Sequence, residues 1–139
     1  MVSRVLVPID GSEMSEHALE YALEVHPDAD ITVLHVVGEP SGMWGKATAL
    51  ALSNDIEEEA EKQATKVFES AREVAADHDI DIETEVALGH PAKAILNRSD
   101  AYDAIVLGSH GGTLADRLVV GNVAEKVFRQ SPTPVTVVK

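Results

Sequence analysis

The sequence has 139 residues, of which 45% are hydrophobic, and its 24 acidic and 11 basic residues give a formal net charge of -13. This length and composition predict a single globular domain over residues 1–139, and the charge argues against a nucleic-acid binder, which needs basic residues to displace phosphate counterions. With no apolar run long enough to span a bilayer and no signal peptide at its start, we expect a cytoplasmic protein with no membrane partner.

The strongly acidic composition has two interpretations. It can serve solubility, or it can be an adaptation to a salty, halophilic cytoplasm in which added ions screen the self-repulsion of the surface. Composition alone leaves both open. The chain contains no cysteine, which excludes disulfides and thiolate metal sites.

The apolar pattern alternates between strands and helices along the chain. Strands are predicted in five segments, at residues 3–10, 30–37, 81–88, 103–109 and 134–138. Helical spacing lies between them, at residues 12–25, 54–78, 91–99 and 123–130. The segment 38–55 has no clear period and is expected to be a loop, in which Trp44 is either a lid over a ligand or a hydrophobic anchor.

This order of elements predicts an α/β fold, a three-layer α/β/α sandwich around a mostly parallel, five-stranded sheet. In such sheets ligands bind beyond the carboxyl ends of the strands, at the point where the strand order reverses. The loops that follow Asp10, Val37, Leu88 and Gly108 are therefore the places to search for a site.

The glycines after the fourth strand are the clearest sign of a ligand. Gly108 and Gly111 follow that strand, and Gly121 directly precedes the last helix. Glycine allows positive φ and lets backbone N–H groups approach a phosphate, while a helix N-terminus adds uncommitted donors. The alternative is a connection that needs glycine only for turning.

The spacing Gly108-x2-Gly111-x9-Gly121 closely resembles the C-terminal signature of the universal stress protein family. The segments "VLVPIDGS", "LHVV" and "GHPAKAIL" also resemble that family in the right order, so the resemblance spans essentially the whole chain. It implies a Rossmann-like domain of the adenine nucleotide alpha hydrolase type, with strand order 3-2-1-4-5. It also implies an ATP-binding protein, commonly a homodimer, with no settled single reaction.

The same resemblance implies which residues would hold the ligand. Pro8, Ile9 and Asp10 would line the base and ribose region, and Val36 would offer backbone groups to adenine. The ribose and phosphates would be wrapped by Gly108, His110, Gly111, Gly121, Asn122 and Val123. The implied ligands are ATP, or another adenine nucleotide, and Mg²⁺.

Two of these residues have a second interpretation. Asp10 either faces the nucleotide and helps to hold Mg²⁺, or, with Ser12 or Glu13, caps the first helix. Asn122 stands where the family motif usually has Ser or Thr. The pattern favours Asn122 as a helix cap, in a capping box with Glu125, with phosphate contacted through the backbone N–H.

Side chains give little indication of catalysis. His110 is expected to be a positioning residue or a solvated loop side chain and not a general base. The remaining histidines, at positions 17, 26, 35, 78 and 90, lack metal-type spacing and are expected to be ordinary surface or half-buried residues. Arg117 is the only cation between the glycines, and no Walker-type lysine is present, so we expect slow ATP hydrolysis at most.

The last strand predicts a partner. Residues Val135–Val138 follow two prolines and would leave an open sheet edge, which a second copy could close under two-fold symmetry. The leading hypothesis is a homodimeric stress-response module that binds ATP, and the alternative is a dimeric scaffold of the same fold without a nucleotide. A phospho-acceptor receiver is disfavoured, because the third strand ends in "VALGH" and offers no Asp.

Overall fold

The strands and helices follow the predicted order in the computed structural model, which describes residues 2–38, 53–112 and 120–139. The strands are β1 (Arg4–Ile9), β2 (Asp30–Val37), β3 (Glu83–Leu88), β4 (Ala104–Gly108) and β5 (Val135–Val138). The helices are α1 (Glu13–Val25), α2 (Ser53–Asp77), α3 (Pro91–Arg98) and α4 (Asn122–Gln130), and a 3-10 turn (Ser99–Ala101) follows α3. The predictions about Trp44 and Arg117 lie outside the described residues.

The sheet has five strands in the order β3-β2-β1-β4-β5, and every neighbouring pair is parallel. This confirms the predicted α/β class and the strand order that the family resemblance implied. The chain moves from β1 to one side as far as β3 and then returns to the other side of β1 at β4. The carboxyl ends of β1 and β4 are therefore neighbours at the reversal point.

Both faces of the sheet are covered by helices. Side chains of β1 alternate between the two layers, with Val5 and Val7 packed towards α1 and α2 and Leu6 packed in the cluster that includes residues of α3 and α4. Because both faces of the sheet are covered, β1, β2 and β4 read in the sequence as nearly continuous apolar runs, whereas the edge strand β3 alternates and is mostly exposed or half-buried. Among the described residues no helix combines the length and the apolar character needed to cross a bilayer.

Asp103 ties the amino ends of β1 and β4 together. Its Oδ2 accepts hydrogen bonds from the backbone N–H groups of Ser3, at 2.9 Å, and Arg4, at 3.0 Å. Its own N–H donates to the Arg4 carbonyl at 2.8 Å. The bond from Ser3, and then the bond from Arg4, hold the pKa of the Asp103 carboxyl below its usual value of 3.8.

The lowered pKa of Asp103 predicts a pH-dependent contribution to stability. The ionised carboxylate stabilises the fold above the unfolded-state pKa, near 3.8, and this contribution is lost as the pH falls through the lower folded-state pKa. We expect Asp103→Asn to lower the Tm at neutral pH and to lower it less in acid. Thermal unfolding followed by circular dichroism over that pH range measures the difference, and a difference independent of pH would contradict this role.

Candidate functional site

A pocket of about 280 Å³ opens at the carboxyl ends of β1 and β4. It is lined by all ten residues that the sequence singled out: Pro8, Ile9, Asp10, Val36, Gly108, His110, Gly111, Gly121, Asn122 and Val123. The structure thus brings together residues from four separate parts of the chain. Their role as ligand contacts stays a prediction.

Six further residues line the pocket and were not predicted: Ser15, Leu34, Pro91, Ile95, Leu107 and Ala124. Five of them are apolar, and four of these, Leu34, Ile95, Leu107 and Ala124, belong to one hydrophobic core cluster that borders the pocket. Leu34 could have been found from the sequence, since it lies two residues before Val36 and so on the same face of β2. Ile95 and Ala124 depend on how α3 and α4 pack, which periodicity does not specify.

The loop after β4 is held directly against the first turn of α1. A Cβ atom at Gly108 would lie 2.9 Å from the carbonyl oxygen of Met14. The N–H of Met14 donates to the Gly112 carbonyl at 3.2 Å. Gly108 is therefore required for the close approach of a helix, a packing reason that the glycine spacing did not reveal.

Positive φ is not the reason for the three glycines of the motif. Gly108, Gly111 and Gly121 all lie outside the left-handed region, and among the described glycines positive φ occurs at Gly11 and Gly89. What the three have in common is that a side chain would meet a close neighbour. These neighbours are protein atoms of Met14, Asp10 and His110, so the structure adds a packing reason for glycine that the sequence did not suggest, and close approach to a phosphate stays a prediction.

Asp10 lies between the start of α1 and the glycine loop. Its Oδ1 accepts a hydrogen bond from the N–H of Ser12 at 2.9 Å, and a Cβ atom at Gly111 would lie 2.5 Å from its Oδ2. The N-cap of α1 is Ser12, whose Oγ accepts from the N–H of Ser15 at 3.2 Å. Asp10 thus stabilises the turn before the helix, does not cap the helix itself, and presents its carboxylate at the pocket wall.

The expectation that Asn122 caps the last helix is wrong. Helix α4 has Gly121 as its N-cap, in an extended conformation and without a side-chain cap, and Asn122 is the first helical residue. Glu125 does not complete a capping box and instead forms an ion pair with Arg129 at 3.0 Å. The exposed amide of Asn122 is therefore not used as a cap at the pocket mouth.

The first turn of α4 supplies backbone donors to the pocket. The N–H of Gly121 is committed, because it donates to the Ser109 carbonyl. The N–H groups of Asn122, Val123 and Ala124 follow it, and a helix has no internal acceptors for the N–H groups of its first turn. This end of the helix carries partial positive charge, so it suits an anion.

His110 has one polar atom that the described part of the chain does not satisfy. Its Nε2 is buried and has no hydrogen-bond partner there. The rest of the side chain is confined between glycines, since a Cβ at Gly112 would lie 2.7 Å from Nδ1 and one at Gly121 would lie 3.3 Å from the His110 Cβ. A buried ring nitrogen without a partner is uncommon in native proteins and can be satisfied by a bound ligand.

His35 corrects the expectation that it is an ordinary surface or half-buried residue. It is only 5% exposed, and its Nδ1 lies 3.0 Å from the carbonyl oxygen of Ile9. Helix α2 contributes to this burial, because the Phe68 ring packs edge to face against the His35 ring, with 6.3 Å between the ring centroids. The residues next to His35 in the sequence give no sign of this contact, because Phe68 lies in a distant part of the chain.

The charges around the pocket limit what could hold a metal ion. Asp10 is the only carboxylate among the described lining residues, and these include no lysine or arginine. The described residues also contain no group of three or more metal-ligating side chains that could hold an ion. Mg²⁺, which binds through one or two carboxylates together with substrate phosphates, fits here only in company with a phosphate ligand beside Asp10.

Comparison with known proteins identifies the family. The family model described as "Universal stress protein family" matches residues 1–139. The chain belongs to the universal stress protein family. It is 33% identical to universal stress protein YxiE of Bacillus subtilis, over 100% of both chains.

Solved universal stress proteins have the same fold. Universal stress protein UspA from Lactobacillus plantarum is 26% identical, with a TM-score of 0.82 over 99% of this chain and 97% of that one. A universal stress protein in complex with cAMP is also 26% identical, with a TM-score of 0.72 over the same shares of the two chains. The family and the fold implied by the sequence motifs are thereby confirmed.

The contact between Gly108 and Met14 predicts the cost of adding one methyl group. Gly108→Ala should lower the free energy of unfolding by about 1–3 kcal/mol, because the Met14 backbone has to move. Gly38→Ala is the control, since a Cβ at Gly38 would have no atom of the described residues within 4 Å, and we expect it to change stability by less than about 1 kcal/mol. Urea denaturation measures both, and equal effects would contradict the packing role of Gly108.

Proposed function

We propose that this universal stress protein binds an adenine nucleotide, with ATP and Mg²⁺ as the first ligand to test, and acts as a regulatory module of the stress response. The observation that supports the proposal is the convergence of the ten predicted residues on one pocket at the reversal point of the sheet. A relative of 26% identity in complex with cAMP supports the same class of ligand. As the sequence predicts, we expect the protein to act in the cytoplasm.

The parts of the pocket suit different parts of a nucleotide. The apolar side, with Leu34, Val36 and Ile95, suits the base. The first-turn N–H groups of α4 suit a phosphate, and the unpartnered Nε2 of His110 suits a hydroxyl or a phosphate oxygen. Mg²⁺ bound with the nucleotide would neutralise phosphate charge beside the carboxylate of Asp10.

The described lining favours binding over catalysis. It offers no lysine or arginine to stabilise charge that develops on a transferred phosphoryl group. We therefore propose that nucleotide occupancy, and not turnover, is the signal, with ATP hydrolysis slow at most.

A charge placed at the start of α4 tests the phosphate position. Asn122→Asp adds a carboxylate at a helix N-terminus, which should leave stability unchanged or raise it by about 0.3–1 kcal/mol. The same carboxylate should repel the phosphates and weaken the binding of ATP with Mg²⁺ about tenfold or more, as measured by calorimetry. Asn122→Ser, which restores the hydroxyl that is usual in the family motif, should bind at least as tightly as the unchanged protein.

A matched control separates this repulsion from a general change of charge. His90→Asp adds a carboxylate at the N-cap of α3, which also lacks a side-chain cap and lies outside the pocket. The affinity of this variant for ATP with Mg²⁺ should stay within about threefold of that of the unchanged protein. Equal loss in both variants would contradict the placement of the phosphates. No binding by the unchanged protein, with no nucleotide released on denaturation and found by mass spectrometry, would favour the dimeric scaffold instead.

We also propose that the protein is a homodimer joined through β5. The N–H of Ile105 donates to the Pro134 carbonyl and that of Ser109 to the Val138 carbonyl, each at 2.9 Å. The backbone N–H and C=O groups of β5 that bond to β4 therefore belong to every second residue. The backbone groups of the residues between them, Val135 and Val137, face the open edge of the sheet. A second copy of β5 could pair with this edge.

Proline substitutions at the two edges of the sheet test this dimer. Val137→Pro removes a donor that faces the open edge and should convert the dimer into a monomer in sedimentation velocity experiments. Val86→Pro is the control on β3, the opposite edge strand. There the N–H of Gly89 donates to the Val37 carbonyl, and because hydrogen bonding alternates along a strand, the N–H of Val86 faces away from the sheet. This variant should stay dimeric. A monomeric unchanged protein, or dissociation by both variants, would contradict the proposed interface.

A further inference from the structure

We infer that His35 is a positioning residue for the pocket, acting through the peptide unit that joins Ile9 to Asp10. Two side chains hold this peptide from opposite ends. The ring Nδ1 of His35 lies 3.0 Å from the Ile9 carbonyl oxygen, and the N–H of Asp10 donates to Ser15 Oγ at 3.3 Å. We call this arrangement the Ile9–Asp10 clamp.

The contact with a carbonyl fixes which ring nitrogen of His35 carries the proton. A carbonyl oxygen only accepts hydrogen bonds, so Nδ1 must be the donor. With the proton on Nε2, the lone pair of Nδ1 would face the oxygen at 3.0 Å and repel it. The geometry therefore assigns the Nδ1–H tautomer to the neutral ring.

Ser15 completes the clamp with a hydroxyl that both accepts and donates. It accepts from the Asp10 N–H and donates to the Ser12 carbonyl at 3.0 Å. Ser15 and His35 are each only 5% exposed, so water competes little for either contact. A buried polar group that loses its partner carries a desolvation cost, so the clamp resists opening.

The clamped peptide sets the position of Asp10 at the pocket. Beyond it the chain turns at Gly11, with φ +83°, and the Asp10 carboxylate lies between the Ser12 N–H and Gly111. His35 does not line the pocket, whereas Ile9 and Asp10 do. The hydrogen-bonded route from His35 to the pocket therefore runs through the clamp.

Among the described residues, the ring contact of His35 with Phe68 gives no reason for a polar side chain at this position. The residue is buried on β2 between Leu34 and Val36, beneath α2, and its ring meets Phe68 edge to face. An apolar residue would fill this space without the cost of burying an imidazole. The bond to Ile9 is what offsets that cost.

Two substitutions separate the hydrogen bond from the packing. His35→Asn keeps an N–H donor near the position of Nδ1, whereas His35→Leu removes it, and both lose the ring contact with Phe68. Both should lower the Tm, but only His35→Leu should weaken binding of ATP with Mg²⁺ by about tenfold, and His35→Asn should stay within about threefold. Calorimetry at a temperature where all three proteins are folded measures this, and equal affinities for the two variants would overturn the inference.

A second measurement does not depend on any ligand. The effect on binding rests on the proposed function, but the tautomer does not. In ¹⁵N-labelled protein, at a pH where the ring is neutral, NMR should find the proton of His35 on Nδ1. A proton on Nε2 would overturn the clamp, and failure of the unchanged protein to bind nucleotide would count against the proposed function alone.

Discussion

The close approach between α1 and the end of β4 determines the rest of the site. The Met14 carbonyl occupies the space that a side chain at position 108 would need, so only glycine allows the helix to start where it does. The Met14 N–H then fastens the loop at Gly112. Because α1 begins only a few residues after β1 ends, this contact also places the Asp10 turn against Gly111. The absence of a Cβ atom at Gly108 thus allows the turn at Asp10 and the loop after β4 to lie against each other at the pocket.

The sequence predicted the fold at two different levels. Strands and helices followed from the period of the apolar residues, because β1, β2 and β4 are buried on both faces, β3 alternates, and the apolar residues of the helices recur on one face. The strand order did not follow from this pattern, since periodicity tells which face a residue occupies but not which strand lies beside it. That order came from the resemblance to the universal stress proteins. The failure at Asn122 was local, because the Asn-x-x-Glu pattern fits a capping box, whereas the chain enters the helix through the extended backbone of Gly121.

Apart from Leu34, which the alternation of β2 could have indicated, the sequence missed residues whose environment is created by distant parts of the chain. His35 owes its burial partly to Phe68 in α2 and its hydrogen bond to Ile9 in β1. Histidine spacing tests only for metal ligation, so it did not detect a ring that bonds a carbonyl. Similarly, the reason for glycine at position 108 is visible only once α1 has packed on β4. Motif spacing found the glycine correctly but gave an incomplete physical account of it.

The electrostatics of the pocket indicate how it would distinguish ligands. A chain of net charge -13 repels phosphates, and the described lining adds the carboxylate of Asp10 and no basic side chain. Among the described residues, the groups suited to attract a phosphate are the backbone N–H groups at the start of α4 and the unpartnered Nε2 of His110, which act over a short distance. For the proposed nucleotide, an accompanying cation would offset the repulsion between the phosphates and the acidic chain. Mg²⁺ would therefore matter more for the binding of a triphosphate than for that of a monophosphate.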